Sequence, residues 1–168
     1  MATVNINYAA SATITISPEN VASSSTWTAG VESNVIDNST NKYVDALVSG
    51  YWTCGTTPTA NTTCNVYVYA QQDDTPTYQD VFDGTASAET VTSAGVLSGV
   101  VRLLGVLNVD ATTSNRSYYL APASVASCFG GVLPQRWGLF IAHNTGVNSN
   151  TTAGNHVWKY QGITCDVA

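Results

Sequence analysis

Charged side chains are scarce in this chain. Asp, Glu, Lys and Arg make up 10% of its 168 residues, against roughly a quarter in an ordinary globular protein. Only three Glu and two Lys are present. Exposed helix faces are usually built from those two residue types, so the deficit argues against a helical protein and for strands joined by polar turns. The five basic residues, Lys42, Arg102, Arg116, Arg136 and Lys159, stand singly, and the formal net charge is −6. Without a basic patch to neutralise phosphates, neither nucleic acid nor an anionic membrane is expected as a partner.

Long apolar runs are missing as well. No stretch approaches the ~18 apolar residues of a spanning helix. The opening MATVNINYAASATITIS has no basic segment and no unbroken apolar run, so it does not read as a signal peptide, and a cytoplasmic site of synthesis is expected. The chemistry-bearing motifs are absent in the same way. There is no G-x-S-x-G elbow and no glycine-rich phosphate loop, and no pair of the eleven carboxylates stands out as flanking a cleft. No enzyme activity and no cofactor are expected.

Two weaker constellations deserve weighing. His143 and His156 flank one long loop and begin a metal site only if further ligands join them, since zinc takes about four. Asp73, Asp74, Asp80 and Asp83 form a carboxylate-rich stretch, but it lacks the calcium-loop pattern. Ordinary strand histidines and a solvated turn are the favoured readings. Trp27, Trp52, Trp137 and Trp158, with nine Tyr, suit either a sugar-stacking platform or core and interface packing; the second is favoured.

What the chain does have is Thr, Ser and Asn in long polar stretches between apolar, aromatic strands. Residues 136–163 are the clearest case: RWGLFIAH, a loop of Asn, Thr, Ser and Gly, then HVWKYQGI, which reads as a hairpin with an oversized connection. Side chains alternate, so Trp137, Leu139 and Ile141 share one face, and Gly138, Phe140 and Ala142 the other. Further strands are expected within 3–16, at Trp27–Ile36, Tyr43–Thr53, Asn65–Ala70, Val100–Val109 and Asn115–Leu120, with Asn65–Ala70 returning alongside Tyr43–Thr53. A short helix is expected near Ala86–Ala94. The length fits one domain, residues 1–168, with 1–17 a strand or an extended N-terminal arm. The expected fold is therefore all-β, an antiparallel β-sandwich of about eight strands.

Cys54 and Cys64 bracket the turn between two of those strands, a placement that would allow a disulfide. The strands 65–70, 100–109 and 137–142 are apolar on both faces. A sandwich needs only one apolar face per strand, so a neighbouring subunit is expected to cover the other, with Leu104, Trp137 and Phe140 at that contact.

The stretches WTAGVESNVIDNSTNKYVDALVSG, VYVYAQQDDTPTYQDVFDGT, NRSYYLAPASVASCFGGVLPQRWGLFIAHNTG and NHVWKYQGI resemble small virion proteins of tailed bacteriophages, and most nearly the jelly-roll decoration (cement) proteins that coat phage heads. The likeness lies in general character and element order rather than in a defined motif, and it transfers no functional residue. It implies a jelly-roll sandwich, usually a homotrimer, made in the host cytoplasm and bound to the major capsid protein on the capsid exterior. The alternative is a carbohydrate- or receptor-binding module of a phage tail.

Overall fold

The structure is a computed structural model. It describes residues 3–75 and 77–167, with only the backbone of Val167. Met1 and Ala2 of the expected arm lie outside the described residues.

Among the described residues eleven strands and two short helices follow one another: β1 (Val4–Tyr8), β2 (Ala12–Thr13), β3 (Ala29–Glu32), β4 (Ile36–Asp37), β5 (Asp45–Thr53), β6 (Thr62–Ala70), β7 (Ser87–Thr90), α1 (Ala94–Val100), β8 (Arg102–Val109), β9 (Ser117–Ser124), α2 (Val125–Cys128), β10 (Arg136–His143) and β11 (Val157–Val167). They form two antiparallel sheets, as expected of a β-sandwich. The first runs β1-β11-β5-β9, with β2 also on β11. The second runs β7-β3-β10-β6-β8, with β4 also on β10.

The alternation read from the sequence sets the core. Ala46, Val48 and Trp52 of β5 and Trp158 of β11 meet Val66 and Val68 of β6 and Trp137, Leu139 and Ile141 of β10, all buried between the sheets. Each large apolar side chain withdrawn from water in this way contributes about 1.5–3 kcal/mol.

The expected pairings of neighbouring segments do not hold. β10 and β11 lie in different sheets, so residues 144–156 are a crossover rather than a hairpin loop. β5 and β6 are likewise separated, and Asn65–Ala70 pairs with β10 and β8 instead. Setting aside the short β2, β4 and β7, only β6 and β8 are both consecutive and paired.

The second apolar face of β6 and β10 is covered by the chain itself. Tyr69, Phe140 and Ala142 point away from the inter-sheet core into a second cluster with Phe82, Val91, Leu97 and Val101. These four come from the excursion between β6 and β8. Within it, the helix expected at Ala86–Ala94 is replaced by strand β7, which pairs with β3 from Ala29↔Thr90 to Glu32↔Ser87. The helix starts only at Ala94, where the Ser93 hydroxyl accepts from the Val96 N–H at 3.2 Å and caps it.

This layer corrects the proposed interface residues. Trp137 and Phe140 are 0% exposed, in the inner and outer clusters respectively, and cannot touch another subunit without unfolding. Leu104 is half-buried against the inter-sheet core. A bulge in the β6–β8 ladder, between Val66 and Tyr67, skips Leu104 in the pairing, and such an extra residue re-aims the side chains around it. Leu103 is the exposed neighbour. A subunit contact through Trp137 or Phe140 thereby loses its ground, while β8 keeps Leu103 and Val106 exposed.

Candidate functional site

The outer layer leaves one part of its sheet open. Between α1, β8 and the turn before β3 lies a groove of about 460 Å³, lined by Trp27, Tyr67, Leu97, Val101, Arg102 and Leu103. Tyr67 and Leu103 are opposite each other on paired strands, which places both at the groove, and Leu103 is 52% exposed. Trp27 reaches it from a backbone with φ of 56°, the left-handed region that bulky residues seldom adopt. The turn that holds it there is closed by the Trp27 N–H on the Ser24 carbonyl at 3.1 Å and by the Ala29 N–H on the Ser24 hydroxyl at 3.3 Å.

Polar groups sit at the margins of this groove. The Asn65 amide donates to the Tyr67 hydroxyl at 2.9 Å. Burial pushes the Tyr67 phenol above its ordinary range, against the pull of that bond. The Arg102 guanidinium folds back on the end of α1, donating to the carbonyls of Val101 at 3.0 Å and Gly99 at 3.3 Å. The result is an open apolar surface with one cation at its edge, suited to seating an apolar side chain.

The two histidines both lie near one indole. The Trp52 ring centroid is 4.9 Å from that of His143 and 6.4 Å from that of His156. His143 contacts the Val21 carbonyl through Nε2 and the Thr145 hydroxyl through Nδ1, both at 3.0 Å. His156 accepts the Thr53 N–H at Nδ1, so its Nε2 donates to the Asn150 carbonyl at 3.1 Å. Burial pushes both imidazoles below their ordinary range. They work as neutral ties between strand ends and the crossover. Among the described residues no group of three or more His, Cys, Asp or Glu is placed to hold a metal ion.

Beside them opens a polar cleft of about 250 Å³, with Gly55, Thr56, Asn115, Asn148 and Asn150 in its walls. Asn150 fixes it: its side-chain amide donates to Asn115 Oδ1 at 2.8 Å, and its Oδ1 accepts from the Thr152 N–H and the Asn155 amide. The Tyr51 hydroxyl donates to the Gly154 carbonyl in the same crossover, and its ring stands 5.4 Å from that of exposed Tyr119.

The acidic stretch does not converge. Asp80 accepts from the Thr92 hydroxyl at 2.6 Å and the Thr92 N–H at 2.9 Å, which hold its carboxyl below the usual range. Asp83 accepts from the Thr85 N–H and Asp74 from the Thr75 N–H. The bonds of Asp83 and Asp74 are local, and those of Asp80 tie it to Thr92 twelve residues on. Cys54 and Cys64 are buried free thiols. The disulfide reading required them to end two paired strands, but Cys54 follows β5 of the first sheet while Cys64 lies in β6 of the second.

Of the four tryptophans, Trp52, Trp137 and Trp158 are in the core and only Trp27 borders an open surface. Sequence reasoning missed the groove, because nothing in the residues around Trp27 announces a left-handed turn there. No helix of the described residues is long and apolar enough to cross a membrane. No family model matches this chain, and neither a curated protein nor a solved structure matches it.

Proposed function

We propose that this protein is a structural component of a phage virion, docking on the outside of the assembled capsid and reinforcing it without catalysing a reaction. The observation that carries this reading is the Trp27–Leu103 groove. The chain covers most of the outer face of its second sheet with its own excursion and leaves this apolar part uncovered. An apolar surface of that kind is a place for another protein, here a side chain of the major capsid protein. The winding supports the jelly-roll form of the reading. With β2, β4 and β7 set aside and the remaining eight strands renumbered in order, the sheets run 1-8-3-6 and 2-7-4-5, the arrangement a jelly roll would have. Binding to the assembled shell rather than to its free subunits stabilises the shell by mass action.

The test is to prepare heads lacking this protein, add it back purified, and measure retention after sedimentation. Wild type is expected to co-sediment, and Leu103→Asp to lose at least ten-fold in affinity, about 1.4 kcal/mol, with an unchanged melting temperature. Failure of the wild type to bind heads, or labelling of tails alone, overturns the reading.

The second reading, a sugar-binding tail module, is favoured by the asparagine-walled cleft and by the Tyr51–Tyr119 ring pair, of which Tyr119 is exposed. Amide groups that both donate and accept suit sugar hydroxyls, and rings suit their apolar faces. A glycan array on which Tyr119→Ala abolishes a reproducible signal would promote it over the first.

A further inference from the structure

Sheet edges offer unpaired N–H and C=O groups to other chains, and proteins commonly blunt them. With the two-residue β2 and β4 set aside, four strands end the described sheets, and three of them are blunted. On β9, Pro122 interrupts the donor row. On β8, Arg102 and the bulge opposite Val66 and Tyr67 disturb the ladder. On β7 the strand has four residues and carries Glu89. The fourth edge, β1, is VNINY, with no charge, proline or bulge, and all five residues are exposed. Val4, Ile6 and Tyr8 are 63%, 62% and 60% exposed.

The hydrogen-bond parity of β1 is fixed. It pairs with β11 as Asn5↔Asp166, Ile6↔Cys165 and Asn7↔Thr164. One step further in the same register, the Ala9 N–H donates to the Gly162 carbonyl at 2.9 Å. Closed pairs alternate along an antiparallel ladder, so Asn5 and Asn7 direct their backbone groups at β11, and Val4, Ile6 and Tyr8 direct theirs at the open side. The residues with free backbone groups are therefore the ones that form the exposed apolar stripe, alongside Ile163 and exposed Cys165 on the same face of β11.

We infer that β1 is a self-pairing edge: two copies of this chain join through antiparallel β1 strands about a two-fold axis at Ile6. In that register Ile6 faces Ile6 of the second copy, Val4 faces Tyr8, and Asn5 faces Asn7, so apolar meets apolar and amide meets amide along the whole strand. Three closed pairs give about six new backbone hydrogen bonds, two per pair. The first sheets fuse into one, in the order β9-β5-β11-β1-β1-β11-β5-β9.

Electrostatics permits this. Among the described residues paired in β1 and β11, the charged side chain at this edge is Asp166, held by the Asn7 amide at 2.6 Å. The two Asp166 residues would stand three strand spacings apart, roughly 14 Å at about 4.8 Å each, beyond the screening length of about 8 Å at physiological salt. A contact through two five-residue strands is smaller than a standard stable interface, so the dimer is weak and concentration-dependent, and nearly insensitive to salt. The inference stands on strand geometry and does not depend on docking to a capsid.

The experiment is sedimentation velocity over a concentration series of the full chain, with Ile6→Lys as the disrupting variant. Ile6 lies outside both core clusters, so the variant is expected to keep the wild-type melting temperature while losing the dimer. For the register, Ile6→Cys and Val4→Cys are each placed in a Cys128→Ser, Cys165→Ser background and oxidised. Cα atoms of a closed antiparallel pair, about 5.5 Å apart, lie within disulfide reach. Ile6→Cys is expected to give a covalent dimer and Val4→Cys, which faces Tyr8, at least ten-fold less. A wild type that stays monomeric throughout, a trimer, a dimer that survives Ile6→Lys, or equal cross-linking at both positions overturns the inference. So does a monomeric wild type whose Ile6→Lys variant alone fails to stay on heads, which would give the edge to a capsid subunit.

Discussion

The rings of Tyr69 and Phe82 stack with centroids 4.7 Å apart and planes 5° from parallel. Tyr69 belongs to β6 and Phe82 to the excursion that follows it, so this contact fastens the covering layer to the sheet. Phe82 also meets Phe140 edge-on at 5.3 Å. Truncating such a buried ring removes its transfer energy and leaves a cavity. Phe82→Ala is expected to lower stability by about 3–5 kcal/mol and to raise binding of a hydrophobic dye as the layer loosens. Denaturant unfolding checks the first and dye fluorescence the second. A loss below about 0.5 kcal/mol, within the range of ordinary surface changes, would mean that the layer is held elsewhere.

How much of this was legible in the sequence depended on the range of the interaction. The alternation in β10 is local, and Trp137, Leu139 and Ile141 face the inter-sheet core as their spacing requires. Strand pairing is not local. Consecutive strands are often neighbours, and that expectation misplaced β5 with β6 and β10 with β11. The cover over Phe140 was illegible for another reason. Phe82, Val91, Leu97 and Val101 are too widely spaced to show a period and become one surface only when the excursion folds back. The exchange of Leu104 for Leu103 followed from a bulge, which hydrophobic pattern alone does not place. Of the candidate site, the sequence placed His143 and His156 at the ends of one loop, which proves to be a crossover rather than a hairpin, with both rings near Trp52; the groove was not foreseen.

The two buried histidines give stability a defined pH dependence. Burial lowers the pKa of each below the ordinary value of 6.5 in the folded chain. The unfolded chain therefore takes up protons first as pH falls, and the folded state loses stability. The contribution is fully present above about pH 6.5 and is lost as pH drops from there through the folded pKa values. His156 has the more direct consequence, because protonating Nδ1 removes the acceptor of the Thr53 N–H. Melting temperatures measured from pH 8 to pH 5 are expected to fall below about pH 6.5. His156→Gln is expected to flatten that slope, and an identical slope in the variant would show that the histidine does not control it.

Thiol reactivity should sort the cysteines by depth. Cys165 is exposed, Cys128 is half-buried, and Cys54 and Cys64 are buried. Burial raises the pKa of the Cys128 and Cys54 thiols and carries that of Cys64 well above the usual thiol range, so less reactive thiolate is present at each. Alkylation of the native protein, followed by mass spectrometry, is expected to modify Cys165 first, Cys128 more slowly, and the other two only on unfolding. Recovery of a Cys54–Cys64 linked peptide from protein unfolded under non-reducing conditions would contradict their standing as free thiols.

Glu32 gives a pH effect of the opposite sign. Its side chain is wholly buried on β3, where it accepts from the Gly84 N–H at 2.6 Å and the Asp83 N–H at 3.3 Å. It thereby pins the excursion beyond Phe82 to the sheet. Burial raises its pKa above the ordinary 4.5, and hydrogen bonds to the carboxylate oppose the rise only in part. The folded chain thus holds this proton more tightly than the unfolded chain does. Its stabilising contribution is fully present below about pH 4.5 and is lost as pH rises through the folded pKa. Glu32→Ala leaves both N–H groups without their acceptor, at a cost of about 1–3 kcal/mol each if they stay buried. Glu32→Gln retains an acceptor oxygen without an ionisable group. It should therefore be the milder change, and its stability relative to wild type should improve as pH rises from 4.5 toward neutrality. Paired denaturation curves for the wild type and the two variants at pH 4.5 and pH 7 decide this. A Glu32→Gln protein whose deficit grows toward neutral pH would mean that the carboxylate is stabilised, not penalised, in its buried position.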